Sequence, residues 1–371
     1  MGDGAAVNVK LSIVVPVYNA EKYVGECLRS LCSQTLREVE IICVDDGSTD
    51  GSLAVINRFK NEDCRIKVIR TENKGRSAAR ERGCREASGA YITLVDDDDW
   101  VEHDSYRVLI RRMEQEDADA VIFNWYLNDG RKERKCDAVR KDRMITDRTE
   151  ICRLGMAGLC PQVHPAVFRY EGWPWNKIYK KSVFDRAMEE GNLFREIRHF
   201  EDAYMNMRLL KETSKLLLSK EFGYHYRKGN PLAGTEKYYD TLPDRSDFMF
   251  YKEFGRKYGL ESLDYSAAVN AMEVNLFWDY ITKHHYFHKD NPDSLREQKK
   301  EINHLLAGRC AGECFFPIKK AMEKVNPDWI NSRTMCFLVT HHKVSFLSLY
   351  IGSRISLAGQ LAGCIKRREW K

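Results

Sequence analysis

The chain predicts an α/β protein: an open, mixed but largely parallel sheet flanked by helices, followed by a mostly helical C-terminal extension. Three observations carry this reading. Short β-branched runs alternate with segments of helical periodicity from Leu11 to Asn124. Polar loops follow directly on three of those runs, and ligands of such sheets bind beyond the carboxyl ends of strands. From about Leu242 the pattern turns helical and aromatic-rich.

Leu11–Val17 reads as a fully buried strand closed by Pro16 and Tyr18-Asn19, with Asn19 capping a helix whose apolar positions are Val24, Cys27, Leu28, Leu31 and Cys32. Val39–Val44 is a second buried strand, ending in Asp45-Asp46-Gly47-Ser48-Thr49-Asp50. A helix over Leu53–Phe59, a strand at Ile66–Ile69 and, after Asn73-Lys74-Gly75, a helical stretch through Ala87 come next. The run Tyr91–Val95 then delivers Asp96-Asp97-Asp98-Asp99. A helix over about Tyr106–Gln115 leads to the strand Ala120–Asn124. Residues 127–140 read as a solvated basic loop, with acceptor binding as the alternative; order resumes at Trp173–Val183 and His199–Leu210. The expected divisions are a disordered tail over 1–8, halves over 9–125 and 126–230, and a helical region over 231–371.

Of the 371 residues, 43% are hydrophobic and 31% charged, enough for a substantial core. Residues 343–371 carry six basic residues against one acid, a net of +5 that equals the charge of the whole chain. The remainder is formally neutral, which argues against nucleic-acid binding. The twelve cysteines form no CxxC pair, so neither a zinc ribbon nor a redox motif is expected, and a reducing cytosol suits them. The first eight residues show no secretory signal. His284-His285-x-x-His288 and His341-His342 lack the partners of a metal site.

Four adjacent carboxylates repel one another, and such crowding raises carboxyl pKa values unless a cation is present. Oxygen donors without Cys or His favour Mg²⁺ or Mn²⁺, an ion that substrate phosphates usually complete. An acidic turn capping the helix near Asp104 is the plainer alternative.

The ordered motifs Pro16-Val17-Tyr18-Asn19, Val44–Asp50 and Leu94–Asp99 resemble those of family 2 glycosyltransferases with the GT-A fold. So do Asn73-Lys74-Gly75 with Ala79-Arg80, Gly89-Ala90-Tyr91-Ile92, Trp175-Asn176-Lys177-Ile178-Tyr179 and Phe200-Glu201-Asp202; together they cover residues 10–227. The resemblance implies that Pro16, Tyr18 and Asp46 surround a nucleoside, Asn19 completing that strand end. Asp45 belongs either to the same subsite or to the turn itself. Asp96 and Asp98 match the Asp-x-Asp pattern. Asp98 would hold the metal, Asp96 would sit near the ribose or the ion, Asp97 takes the variable middle place on the nucleotide-sugar side, and Asp99 is a supporting acceptor or cap.

Glu201-Asp202 matches the motif supplying the general base, Asp202, with Glu201 supporting it. Lys177 and Tyr226-Arg227 are candidates to close over diphosphate and acceptor, and Arg80 to touch phosphate; each reads equally as a solvated cation. Glu81 stands where the family often has Asn. Gly229-Asn230-Pro231 is a lid or a plain turn.

The expected activity is inverting, metal-dependent and nonprocessive transfer from a nucleotide sugar, UDP by resemblance, to a glycan or lipid-linked glycan. The absence of membrane spans and of Gln-x-x-Arg-Trp disfavours a processive synthase. A sugar-nucleotide-forming nucleotidyltransferase would need a glycine-rich loop near the first strand, a dehydrogenase G-x-G-x-x-G, and neither is present. A non-catalytic nucleotide-sugar-binding protein would not need Glu201-Asp202. In the tail, Leu347, Ile351, Ile355, Ala358, Ala362 and Ile365 recur at helical steps before Lys366-Arg367-Arg368. That face fits peripheral attachment to an anionic inner leaflet, or docking on the protein's own core.

Overall fold

In the computed structural model, residues 8–158, 172–191, 193–194 and 201–230 are described, with 245–260 and scattered positions from 265 to 300 beyond them. The chain divides into two compact units, Met1–Asn230 and Pro231–Lys371. The expected tail over 343–371, both histidine groups, Phe200 and nearly all of the N-terminal tail lie outside the described residues.

The first unit runs β1 (Leu11–Val17), α1 (Val24–Cys32), β2 (Val39–Asp45), α2 (Ser52–Glu62), β3 (Ile66–Arg70), α3 (Arg76–Glu86), β4 (Tyr91–Leu94) and β5 (Trp100–Val101). It continues α4 (Ser105–Glu116), β6 (Ala120–Asn128), β7 (Glu133–Cys136), β8 (Arg143–Ile145), α5 (Arg148–Ala157), β9 (Lys177–Lys180), α6 (Lys181–Glu189), α7 (Glu201–Lys211) and β10 (Leu216–Arg227). The sheet order is β3-β2-β1-β4-β9-β6-β10-β5, with β7 on β6 and β8 on β10. Strands β3, β2, β1 and β4 are mutually parallel, β9 runs against both β4 and β6, and β10 is parallel to β6.

Strands β1 and β2 are buried along their whole length, as continuous Val/Ile runs require in a parallel sheet. The chain moves outward from β1 to β2 and β3, then crosses back to β4 on the other side. Beyond the β1 and β4 carboxyl ends lies the crevice where such sheets bind ligands. Pro16 sits in β1 just past the last β1–β4 pair, Val14↔Leu94, where a missing N–H costs no ladder bond on that side.

Helix α3 lies close against β1 and β2. A Cβ at Gly83 would meet Val14 Cγ1 at 2.3 Å and Val44 Cγ2 at 3.2 Å, so only glycine permits this approach. At the opposite, amino edge of the sheet, Glu40 is buried yet well supplied with donors: Ser12 Oγ at 2.5 Å, Ser88 N at 2.6 Å and Lys67 Nζ at 2.6 Å. Burial opposes its ionisation, but these donors outweigh it and hold the carboxyl below the usual range.

Two expectations are corrected. Asn19 does not cap α1, whose N-cap is Tyr23; Asn19 adopts φ 52° and turns its side chain to the next loop. Residues 127–140 are not a simple loop, because β6 continues to Asn128 and pairs antiparallel with β7. Asp129 Oδ1 accepts from the N–H groups of Arg131 and Lys132, closing the hairpin through side-chain-to-backbone bonds that need no apolar pattern.

In the second unit, α8 (Arg245–Lys257) buries Tyr251 and Phe254, and Tyr265 packs directly beneath Gly255. No helix among the described residues is long and apolar enough to cross a membrane.

Candidate active site

The loops after β1, β2 and β4 are joined at the carboxyl edge. Asn19 Oδ1 accepts from Thr49 N at 2.8 Å, and Asn19 N donates to Ser48 Oγ at 3.1 Å. Tyr18 N donates to Asp97 Oδ2 at 3.1 Å, while the Tyr18 side chain is 47% exposed, an open aromatic face beside the acidic bend.

Both acids after β2 are turned to their own backbone. Asp45 is fully buried; Oδ1 accepts from Ser48 N at 3.2 Å, and Oδ2 faces Arg70 Nε at 3.6 Å. Asp46 Oδ1 accepts from Lys74 N at 2.9 Å and Thr71 Oγ1 at 3.2 Å, and Oδ2 accepts from Gly75 N at 2.8 Å. Asp46 thus fastens the Asn73-Lys74-Gly75 loop and the start of α3.

The acidic bend is held from behind by the end of β10. Tyr224 Oη accepts from Asp96 N at 3.1 Å and donates to Asp99 Oδ2 at 2.8 Å; Arg227 N donates to Asp99 Oδ1 at 2.7 Å. Arg227 Nε donates to the Asp98 carbonyl at 2.7 Å, and Asn230 Nδ2 donates to Asp98 Oδ2 at 2.6 Å. Arg227 is further committed to Glu26 and to the face of Trp100. Asp99 is therefore a strut, and Arg227 and Asn230 shape the bend. The roles of Arg227 and Asn230 are hidden in the sequence, since their partners lie about 130 residues away.

Unlike Glu40, these acids lack enough donors to offset their burial. Burial, reinforced by Asp98, pushes the Asp97 carboxyl up to about 7. Burial likewise raises Asp98, against the Asn230 bond, and raises Asp99 well above the usual range. Among the described residues no three His, Cys, Asp or Glu side chains form a closed ligand set. The bend nevertheless fits a hard cation held by one or two carboxylates and completed by phosphates, because it presents oxygen alone and a surplus of negative charge.

Close to the bend, α7 begins with Glu201 and Asp202. The Arg80 guanidinium, 2% exposed, donates to Asp96 Oδ1 at 2.9 Å and to Asp202 Oδ1. Burial, with the neighbouring Asp202 charge, pushes the Glu201 carboxyl up to about 7. Arg76 lies one turn before Arg80 on α3 and so on the same face. It is exposed, feels the charges of Asp96, Asp202 and Glu201, and makes no hydrogen bond or ion pair among the described residues. Sequence reading passed over it, although its spacing of four from Arg80 was the available signal.

Lys177 is corrected. Strand β9 is enclosed between β4 and β6, so the Lys177 side chain is 1% exposed. Its ammonium donates to the Trp173 carbonyl and to Asn176 Oδ1 at 2.7 Å. Burial pushes its pKa well below the ordinary lysine value.

An acidic bend with an open aromatic thus lies at the switch point of the sheet, and Arg80 joins it to a second acid pair. A family model described as glycosyl transferase family 2 matches residues 12–153. The uncharacterized glycosyltransferase EpsJ of Bacillus subtilis is 32% identical over 309 residues, covering 80% of this chain and 83% of that protein. The chain belongs to glycosyl transferase family 2. Glycosyltransferase GlyA of Streptococcus pneumoniae is 32% identical over 255 residues, but the match spans only 34% of its length. The crystal structure of S. aureus TarS 1-349 in complex with UDP-GlcNAc aligns with a TM-score of 0.58 at 16% identity, covering 94% of this chain and 92% of that one. At that identity the likeness speaks to the fold.

Proposed function

We propose that the chain is an inverting, metal-dependent, nonprocessive glycosyltransferase that moves a sugar from a UDP-linked donor to a hydroxyl of a glycan or lipid-linked glycan. The observation that carries this reading is Arg80 joining Asp96 of the acidic bend to Asp202. A donor-side acid and a candidate base thereby face one space. The UDP and UDP-GlcNAc named in the TarS complexes support the choice of nucleotide.

In this reading Tyr18 stacks on the base, and Pro16 and Asn19 shape the strand end beneath it. Asp45 and Asp46 act by bracing the loops around the nucleoside. Asp98 and Asp96 would hold Mn²⁺ or Mg²⁺, which when bound draws charge from the departing diphosphate. Asp97 lines the same bend, and Arg76 supplies positive charge where phosphates arrive. Asp202 takes the proton of the acceptor hydroxyl as its oxygen bonds to the anomeric carbon; the bond from that carbon to the diphosphate oxygen breaks, its electron pair leaving with UDP. Attack opposite the leaving group inverts the centre. Glu201 supports the base, and Lys177 braces the Trp173–Asn176 segment.

Asp98→Ala should abolish metal-dependent UDP-sugar binding and turnover, whereas Asp202→Asn should keep donor binding and lose transfer. Full transfer by Asp202→Asn would remove the assigned base. For localisation we propose a cytoplasmic enzyme peripheral to the inner leaflet through residues 343–371. Equal liposome flotation with and without that segment would remove the membrane contact.

A further inference from the structure

We propose that Arg80 is a positioning residue: it aims the Asp202 carboxylate for proton abstraction and ties that aim to Asp96 on the donor side. The inference rests on the reading of Asp202 as the base.

Arg80 stands on a rigid element. Ala79, Gly83 and Cys84 of α3 are buried, and Gly83 is pressed onto Val14, so the helix cannot roll without disturbing β1. The two terminal nitrogens of Arg80 then each bond one carboxylate, Asp202 and Asp96, and so hold the two acids beside one another. Its Nε is buried and finds no hydrogen-bond partner among the described residues, where Asp96 and Asp202 are the groups that orient the guanidinium.

Among the described residues Arg80 is also the hydrogen-bond partner of Asp202, and it occupies Oδ1. The Asp202 side chain is 24% exposed, which leaves Oδ2 to accept a proton from an acceptor hydroxyl. A planar fork can hold two carboxylates at fixed angles; an ammonium is a point charge and cannot. When a donor draws on Asp96, the guanidinium must adjust, and Asp202 with it. The base is thereby set by the state of the donor subsite.

The test is chemical rescue of Arg80→Ala in the full chain. This variant should lose about a hundredfold in kcat, the scale of loss from a misplaced reacting group, with a much smaller change in its dissociation constants for UDP and Mn²⁺, which the Asp96 contact must shift somewhat. Millimolar guanidinium should restore transfer in Arg80→Ala but not in Arg80→Ala/Asp202→Asn. Arg80→Lys, which keeps the charge and loses the fork, should show the same defect lying chiefly in kcat. An unimpaired kcat, or a loss lying wholly in donor affinity, overturns the proposal. So does failure of both variants to fold, which would assign Arg80 to stability. Asp202→Asn alone separates the two levels. If it transfers at full rate, the base assignment has failed. If it is inactive and guanidinium rescues nothing, only the role of Arg80 has failed.

Discussion

Tyr224 and Asp99 meet through a 2.8 Å hydrogen bond between the phenolic hydroxyl and one carboxylate oxygen, both groups almost fully buried. The same hydroxyl accepts the N–H of Asp96, so one oxygen fixes both ends of the acidic bend. Trp175 stacks on the Tyr224 ring at 4.4 Å, which fixes the ring itself. The shape of a candidate cation site is thus set by a strand that begins more than a hundred residues later.

Tyr224→Phe keeps the stacked ring and deletes the hydroxyl. It leaves a buried carboxylate oxygen and the Asp96 N–H unpaired, so stability should fall by about 1–3 kcal/mol. Mn²⁺ affinity should weaken as the bend loosens. Urea unfolding and a Mn²⁺ titration check this, and unchanged values in both would show the bend to be held elsewhere.

Gly83→Ala tests the seat of α3. Alanine is favoured in a helix by about 1 kcal/mol, but its Cβ would overlap Val14, a stiff β-branched side chain in a fully buried strand. Overpacking costs about 1–3 kcal/mol, so net destabilisation is expected, with reduced transfer because Arg80 rides on this helix. A higher midpoint of thermal unfolding would contradict the close packing.

Glu201 gives a pH dependence of known sign. Its carboxyl is raised from 4.5 to about 7, so across that window the folded chain binds a proton that the unfolded chain has released. Its contribution to stability therefore declines as pH rises from 4.5 to 7. Measured without donor or metal, the unfolding midpoint of Glu201→Gln relative to the unsubstituted chain should be more favourable at pH 8 than at pH 5. A difference independent of pH would sink the assignment.

Much of the fold is legible in local pattern. The bounds of β1 follow from its β-branched run, and the Asp96–Asp99 bend follows from the strand before it. What local pattern cannot give is which distant element covers a residue. Lys177 in Trp-Asn-Lys reads as a surface cation until β9 is seen between β4 and β6. That Asp46 also fastens a loop is hidden because that loop lies some 28 residues on. The Arg227 N–H reaches the Asp99 carboxylate only because β10 and β5 pair at long range beside them. The hairpin at 129–136 was missed for another reason: its strand is almost wholly exposed and charged, so no apolar alternation marks it.

Asn230 is the last residue of the first unit, and its amide also grips Asp98. Insertions or cleavage at this junction therefore are not neutral changes to a tether. Lengthening the chain at Gly229 would slacken a side chain that steers the acidic bend, and Asp98 would lose that restraint.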